Sequence, residues 1–101
     1  MTDRRRPTYD LATIQRAAPG MRMTRAALLG AAAMGMVRAD MEAAIRGLTH
    51  RDFYKSVTSY GDHRLWMDVY HGRHAGQDIY IKFVQDVVTE FTCTSFKEKD
   101  R

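Results

Sequence analysis

Apolar positions recur at helical spacing in the first half of the chain and alternate in the second. Leu11, Ile14 and Ala18 share a face behind Asp10, whose carboxylate is suited to accept the free amides of a first turn. Pro19-Gly20 then stops a helix predicted over residues 8–18. Thr24 is the predicted cap of a second helix, Arg25 to Met34, with Leu28, Leu29 and Ala32 as its apolar face and Gly35 as a left-handed stop. A third starts from Asp40 and carries Met41, Ala44, Ile45 and Leu48 at the spacing of a core stripe. Thr49 and Asp52 have capping-box spacing, which predicts one more turn reaching Phe53 and Tyr54. Met21, Met23, Met34, Met36 and Met41 read as gap-filling core residues.

From Lys55 onward the pattern is that of strands. Residues 57–60 suit a short strand, Gly61-Asp62 a turn, and residues 65–70 a second strand. In that strand Leu65, Met67 and Val69 take one face while Trp66, Asp68 and Tyr70 take the other. Residues 71–76 are predicted to be a loop. From Asp78 to Val84, Ile79, Ile81 and Phe83 point one way and Tyr80 and Lys82 the other, so one face is core and one polar. A last strand is predicted over residues 87–97, with the cations of the tail after it on one side. Residues 1–7 lack periodicity and are expected to be flexible. The whole predicts a single α+β domain over residues 1–101, compact and two-layered, with N-terminal helices packed on a largely antiparallel C-terminal sheet.

Composition narrows the class. A hydrophobic fraction of 45% with 28% charged residues is that of a folded soluble domain, which argues against global disorder. One cysteine, Cys93, excludes an internal disulfide framework and a multi-cysteine zinc site, and points to the cytoplasm. The apolar run from Ala26 to Val37 is too short to span a bilayer, so no membrane association is expected. The net charge of +4 is an N-terminal feature: residues 1–25 hold six arginines against two aspartates, leaving the remaining 76 residues balanced. A basic start suits an anionic partner such as RNA, and equally a solubilising tail.

Asp52-Phe53-Tyr54-Lys55-Ser56, Tyr60-x-Asp62-His63-x-x-Trp66-x-Asp68-Val69-Tyr70, Tyr80-Ile81-Lys82 and Ser95-Phe96-Lys97-Glu98-Lys99 together resemble the MqsR family of bacterial type II toxins. The likeness covers roughly residues 8–99 and includes Thr24-Arg25-Ala26-Ala27-Leu28-Leu29. It implies a fold related to the RelE-type ribonuclease toxins. It further implies ribosome-independent, metal-independent cleavage of mRNA at GCU-like sites, and neutralisation by a zinc-containing MqsA-like antitoxin. Matched residue by residue, it implies catalytic roles for Lys55, Tyr80 and Lys97. The family's glutamine in Trp-Gln-Asp-Val-Tyr is replaced here by Met67, which cannot supply a useful hydrogen bond. His63, Met67, Lys82 and Arg73 are the expected substrate-binding or supporting residues. The stretch from Lys82 to Lys97 is about two residues longer than the family's, as if each arm of a hairpin gained one.

The chemistry needs a base for the 2′-hydroxyl, a cation for the phosphorane and an acid for the leaving 5′-oxygen. Lysines supply the cation. A lysine base would need a depressed pKa, which Lys55 and Lys97 would give each other if the fold brought them together. Tyr80 suits hydrogen bonding to phosphate, proton donation or stacking. No cofactor is called for. His63, His71 and His74 form a competing acid–base group, and His71-x-x-His74 with His63 or Asp68 a weak zinc alternative. Trp66 reads as a packing anchor. Three functions compete. The first is the mRNA endonuclease, expected to be monomeric when free and to meet its antitoxin through an exposed sheet edge or the hairpin at residues 57–75. The second is an interaction protein that binds antitoxin or RNA without cutting. The third, a DNA-binding domain built on residues 24–48, has few side chains there able to read base edges.

Overall fold

The computed structural model describes residues 2–86 and 90–100. Three α-helices, α1 (Leu11–Ala17), α2 (Arg25–Ala33) and α3 (Arg38–Arg46), cover one face of a six-stranded sheet. The strands are β1 (Asp3–Arg4), β2 (Arg22–Met23), β3 (Phe53–Thr58), β4 (Trp66–His74), β5 (Gln77–Gln85) and β6 (Phe91–Glu98), in the order β1-β3-β4-β5-β6-β2. Every neighbouring pair is antiparallel except β2 with β6. This is the α+β architecture that the pattern of periodicities predicts.

The helices start where polar caps allow. Asp10 accepts from Thr13 N at 3.1 Å, and Thr24 Oγ1 accepts from Ala27 N while donating to the Thr94 carbonyl of β6, both at 3.1 Å. The same threonine thus begins α2 and ties it to the sheet. The start of α3 differs from expectation: Val37, not Asp40, is its cap residue, and Asp40 sits inside the first turn, accepting from Val37 N at 2.9 Å. At its other end Gln15 Nε2 donates to the carbonyls of Ile45, Arg46 and Leu48, groups that lack helical partners. Gly35, at φ 75, ends the α2 segment as its sequence requires.

The core lies between helices and sheet. Leu11, Ile14, Ala18, Met41, Ala44, Ile45 and Leu48 are buried as predicted, against Tyr70, Ile79, Ile81, Phe83, Phe91, Cys93 and Phe96. Met21, Met36 and Met41 are buried, and Met23 and Met34 pack against them. The α2 face is a correction. Leu28 and Leu29 are 42% and 57% exposed and Ala32 is exposed, while Ala27 and Ala31 face the core. The reason is distance: α2 lies so close to β6 that a Cβ at Gly30 would overlap the Phe96 carbonyl oxygen, so only small residues fit.

Two other boundaries move. The turn after Thr49 ends at Asp52, and Phe53 and Tyr54 open β3 rather than extending a helix. Residues 71–74, predicted as loop, continue β4; the hairpin turn is Ala75-Gly76. The predicted start of the last strand at residues 87–89 lies outside the described residues, and β6 runs from Phe91. Its pairing carries a bulge, since Lys82 opposes Ser95 while Phe83 opposes Cys93, so β6 holds one extra residue there.

The N-terminal segment, expected to be flexible, is paired. Asp3 and Arg4 lie opposite Val57 and Ser56, and Thr58 N donates to the Thr2 carbonyl at 2.9 Å. A fully buried carboxylate anchors the chain between β1 and α1. Asp68 accepts from Thr8 N and Tyr9 N at 2.9 Å and from Ser56 Oγ at 2.7 Å. Arg4 covers Trp66 at 3.9 Å from the ring centroid, and Tyr9 donates to the Trp66 carbonyl at 2.6 Å. Trp66 is therefore an anchor for the N-terminus, as its size suggests.

Candidate functional site

Because the helices occupy one face, every second residue of β3 to β6 is displayed on the other. Register aligns these residues in rows across the sheet. Val57, Met67 and Val84 form an apolar row; Lys55, Val69, Lys82 and Ser95 form the next; His71, Tyr80 and Lys97 form the third. A register shift between Phe53 and Lys55 lets Tyr54 join that third row, where its ring stacks on His71 with centroids 4.2 Å apart. The His71 and Tyr80 centroids are 5.9 Å apart, and Lys97 Nζ lies 5.1 Å from the Tyr80 ring.

Tyr54, His71, Tyr80 and Lys97, with Glu98, Lys99 and Asp100, line an open groove of about 440 Å³. Lys55 flanks it, with Nζ 5.1 Å from the Tyr54 ring and 3.7 Å from Asp3 of β1. Lys82 stands one row away. Val69, between Lys55 and Lys82 in register, is fully buried, and the aliphatic stems of those lysines are placed to cover it. Arg5 reaches the same region, 5.8 Å from the Tyr54 ring. The groove is thus aromatic on its floor, and the cations Lys97, Lys99, Lys55 and Arg5 outnumber the acids Glu98, Asp100 and Asp3 around it, a pairing suited to a nucleic-acid strand.

Electrostatics follow from that crowding. Partial burial, then the charge of Lys97, holds the Lys82 ammonium below its usual pKa. Burial, then Lys99 and Lys55, lowers His71 from its ordinary 6.5. Burial and the neighbouring Tyr54 raise Tyr80, so its hydroxyl is a proton-bearing donor at neutral pH. The expected repulsion between Lys55 and Lys97 is replaced by another pair. Those two strands are separated by β4 and β5, about 14 Å at ordinary strand spacing; Lys82 is the cation beside Lys97.

The other anticipated residues fall at different distances. Met67 shares the open face but lies two rows from Tyr80. Arg73 is on the same face at the hairpin end, ion-paired to Asp78 at 2.8 Å. His63 is exposed in the connection between β3 and β4. The zinc alternative is not assembled, because three-residue spacing on a strand sends His71 and His74 to opposite faces, and His74 instead meets Asp40 of α3 at 3.5 Å. Among the described residues no group of three His, Cys, Asp or Glu side chains is arranged to hold a metal, and no helix is long and apolar enough to cross a membrane.

Tyr54, His71 and Lys99 are the groove residues that strand patterning left outside the site. For His71 a signal was present: Met67, Val69, His71 and Arg73 continue one period-two series. Gly72 concealed it by reading as a loop residue; within the strand it leaves room for Leu48, whose Cδ2 would lie 2.8 Å from a Cβ there.

The sequence profile of the family described as "Motility quorum-sensing regulator, toxin of MqsA" matches residues 6–98. The chain is also similar to the mRNA interferase toxin MqsR of Escherichia coli (strain K12), with 43% identity over 79 residues, covering 78% of this chain and 79% of that protein. A match of this extent, over the helices and every strand of the groove, places the chain in the MqsR toxin family.

Proposed function

We propose that the protein is a toxin acting as an mRNA endoribonuclease, cleaving without ribosome or metal at GCU-like sites in the cytoplasm and neutralised by an MqsA-like antitoxin. The observation that carries the reading is the third row of the sheet, where Tyr80 and Lys97 share one groove with stacked Tyr54 and His71, flanked by Lys55. Lys97, Lys82 and Lys55 offer positive charge to a phosphate in the groove, where it neutralises the growing charge of the phosphorane. Tyr80 retains its proton at neutral pH and suits donation to the phosphate or the departing 5′-oxygen. A phosphate near Lys55 would displace Asp3, its present partner.

The antitoxin contact is assigned to the β3–β4 hairpin region, residues 57–75. Tyr60 is 86% exposed at its tip, an aromatic anchor of the kind that partners bury.

A purified sample with EDTA, given an RNA of several trinucleotide contexts, is expected to cut at discrete sites and leave 2′,3′-cyclic phosphate and 5′-hydroxyl ends. Lys55→Ala is expected to lose about 100-fold or more of that activity. Met67 favours a second reading, a protein that occupies antitoxin or RNA without cutting. Absence of cuts by a folded protein that still binds antitoxin would establish it.

A further inference from the structure

We infer that His71 is the general base of RNA cleavage, taking the 2′-hydroxyl proton in the groove it shares with Tyr80 and Lys97. This rests on the endoribonuclease reading above and adds a residue to it. Four histidines are present, and they have different surroundings. His74 is held by Asp40, His50 lies in the turn before β3, and His63 is exposed in a connection. His71 alone stands in the groove, and among the described residues neither of its ring nitrogens is engaged in a hydrogen bond. Its plane is held by the 4.2 Å stack on Tyr54, at an interplanar angle of 24°. The ring is therefore oriented by its face, and its edge nitrogens remain available to substrate.

The charge arrangement favours this division of labour. The titratable and charged groups around His71 are Arg5 from the N-terminal segment, Tyr54 and Lys55 from β3, with Asp3 beyond Lys55, Tyr80 from β5, and Lys97, Glu98, Lys99 and Asp100 from β6 and the residues after it. Burial and the charges of Lys99 and Lys55 disfavour the imidazolium, so the ring is neutral and able to accept a proton at physiological pH. A lysine used as base would have to surrender the charge that the phosphorane needs. With His71 as base the lysines stay cationic throughout.

The step balances. An imidazole nitrogen removes the 2′-hydroxyl proton as the 2′-oxygen bonds to phosphorus. The bond from phosphorus to the 5′-oxygen breaks, and that oxygen takes a proton from Tyr80, which regains one from solvent. The imidazolium then returns its proton to solvent.

The test compares single-turnover cleavage of a one-site RNA by the wild type and His71→Ala over about pH 5 to 8, with and without added imidazole. Binding of the same RNA with a 2′-deoxy nucleotide at the cut is measured in parallel. The wild-type rate is expected to fall tenfold per pH unit once pH drops below the lowered pKa of His71. His71→Ala is expected to be slower by about 100-fold or more, to lose that acidic limb, and to regain rate with imidazole while binding RNA as the wild type does. Wild-type rates in His71→Ala, or a slow variant with the limb intact and no response to imidazole, would overturn the assignment alone. A folded wild-type protein that cuts no RNA would overturn both it and the endoribonuclease reading.

Discussion

Tyr80 and Lys97 are Cα partners across β5 and β6, and the Lys97 ammonium lies 5.1 Å from the centroid of the Tyr80 ring. Each is thereby positioned by the other: the ring supports the cation by its π-face, and the cation fixes where a phosphate would meet the phenol. Groups acting on one phosphate are not additive when removed. Tyr80→Phe and Lys97→Met are each expected to lower cleavage by about 100-fold, and the double variant by much less than the product of the two. A double-mutant cycle on the single-turnover rate measures this. Multiplicative losses would show that the two act on separate steps.

Lys82 sets function against stability. Burial and Lys97 lower its pKa, so between that value and the usual 10.5 the unfolded chain binds more protons than the native one. Stability contributed by this site therefore rises with pH through that window, and at neutral pH the native state carries a disfavoured charge. Lys82→Met is expected to raise the Tm while weakening RNA binding, with the slope of log affinity against log salt falling by about one. Thermal melts and salt-titrated binding would check both. A lower Tm with an unchanged salt slope would show that the lysine serves packing instead.

Much of the architecture was written in periodicity, and the failures share a cause. Ile79, Ile81 and Phe83 alternate with Tyr80 and Lys82, so the two faces of β5 were assignable without neighbours. The apolar face of α2 was not: Leu28 and Leu29 are the larger side chains, but close approach to β6 selects Ala27, Gly30 and Ala31. Asp3 and Arg4 could not announce a strand, because two residues carry no period and their pairing depends on β3 far along the chain. At the site, the recognisable motifs supplied Lys55, Tyr80 and Lys97. The rows that join them to His71 and Tyr54 come from register and a bulge, which are properties of strand pairs.

The α2 packing makes its own prediction. Any Cβ at Gly30 meets backbone at Phe96 and lies 3.2 Å from Lys97 Cβ, so helix or strand must move. Gly30→Ala is expected to destabilise by about 2–3 kcal/mol despite its gain in helix propensity. Cleavage should fall as well, since the displaced strand carries Lys97. Leu29→Ala, on the exposed side of the same helix, is expected to stay within about 0.5 kcal/mol of the wild type. Urea unfolding separates the two. Equal stabilities would mean that α2 can withdraw from β6 freely.

Met67 tests how far the open face extends as a substrate surface. It lies on β4 in the same face as His71, four residues away, about 13 Å along the strand. That distance removes it from the reacting phosphate and puts it near a neighbouring nucleotide of any strand lying along β4. A thioether there contributes apolar contact without hydrogen-bond direction, whereas the family's glutamine offers a donor and an acceptor. Met67→Gln is therefore expected to sharpen discrimination between trinucleotide contexts, leaving the pH profile of cleavage unaltered and changing stability by under about 1 kcal/mol, since the position is half-exposed. Mapping new 5′ ends across a mixed-context RNA, beside the wild type, reads the first effect, and the pH series reads the second. If preference stays constant while the acidic limb shifts, the residue at this position acts on the chemistry through His71, and the separation of base reading from catalysis along β4 would be wrong.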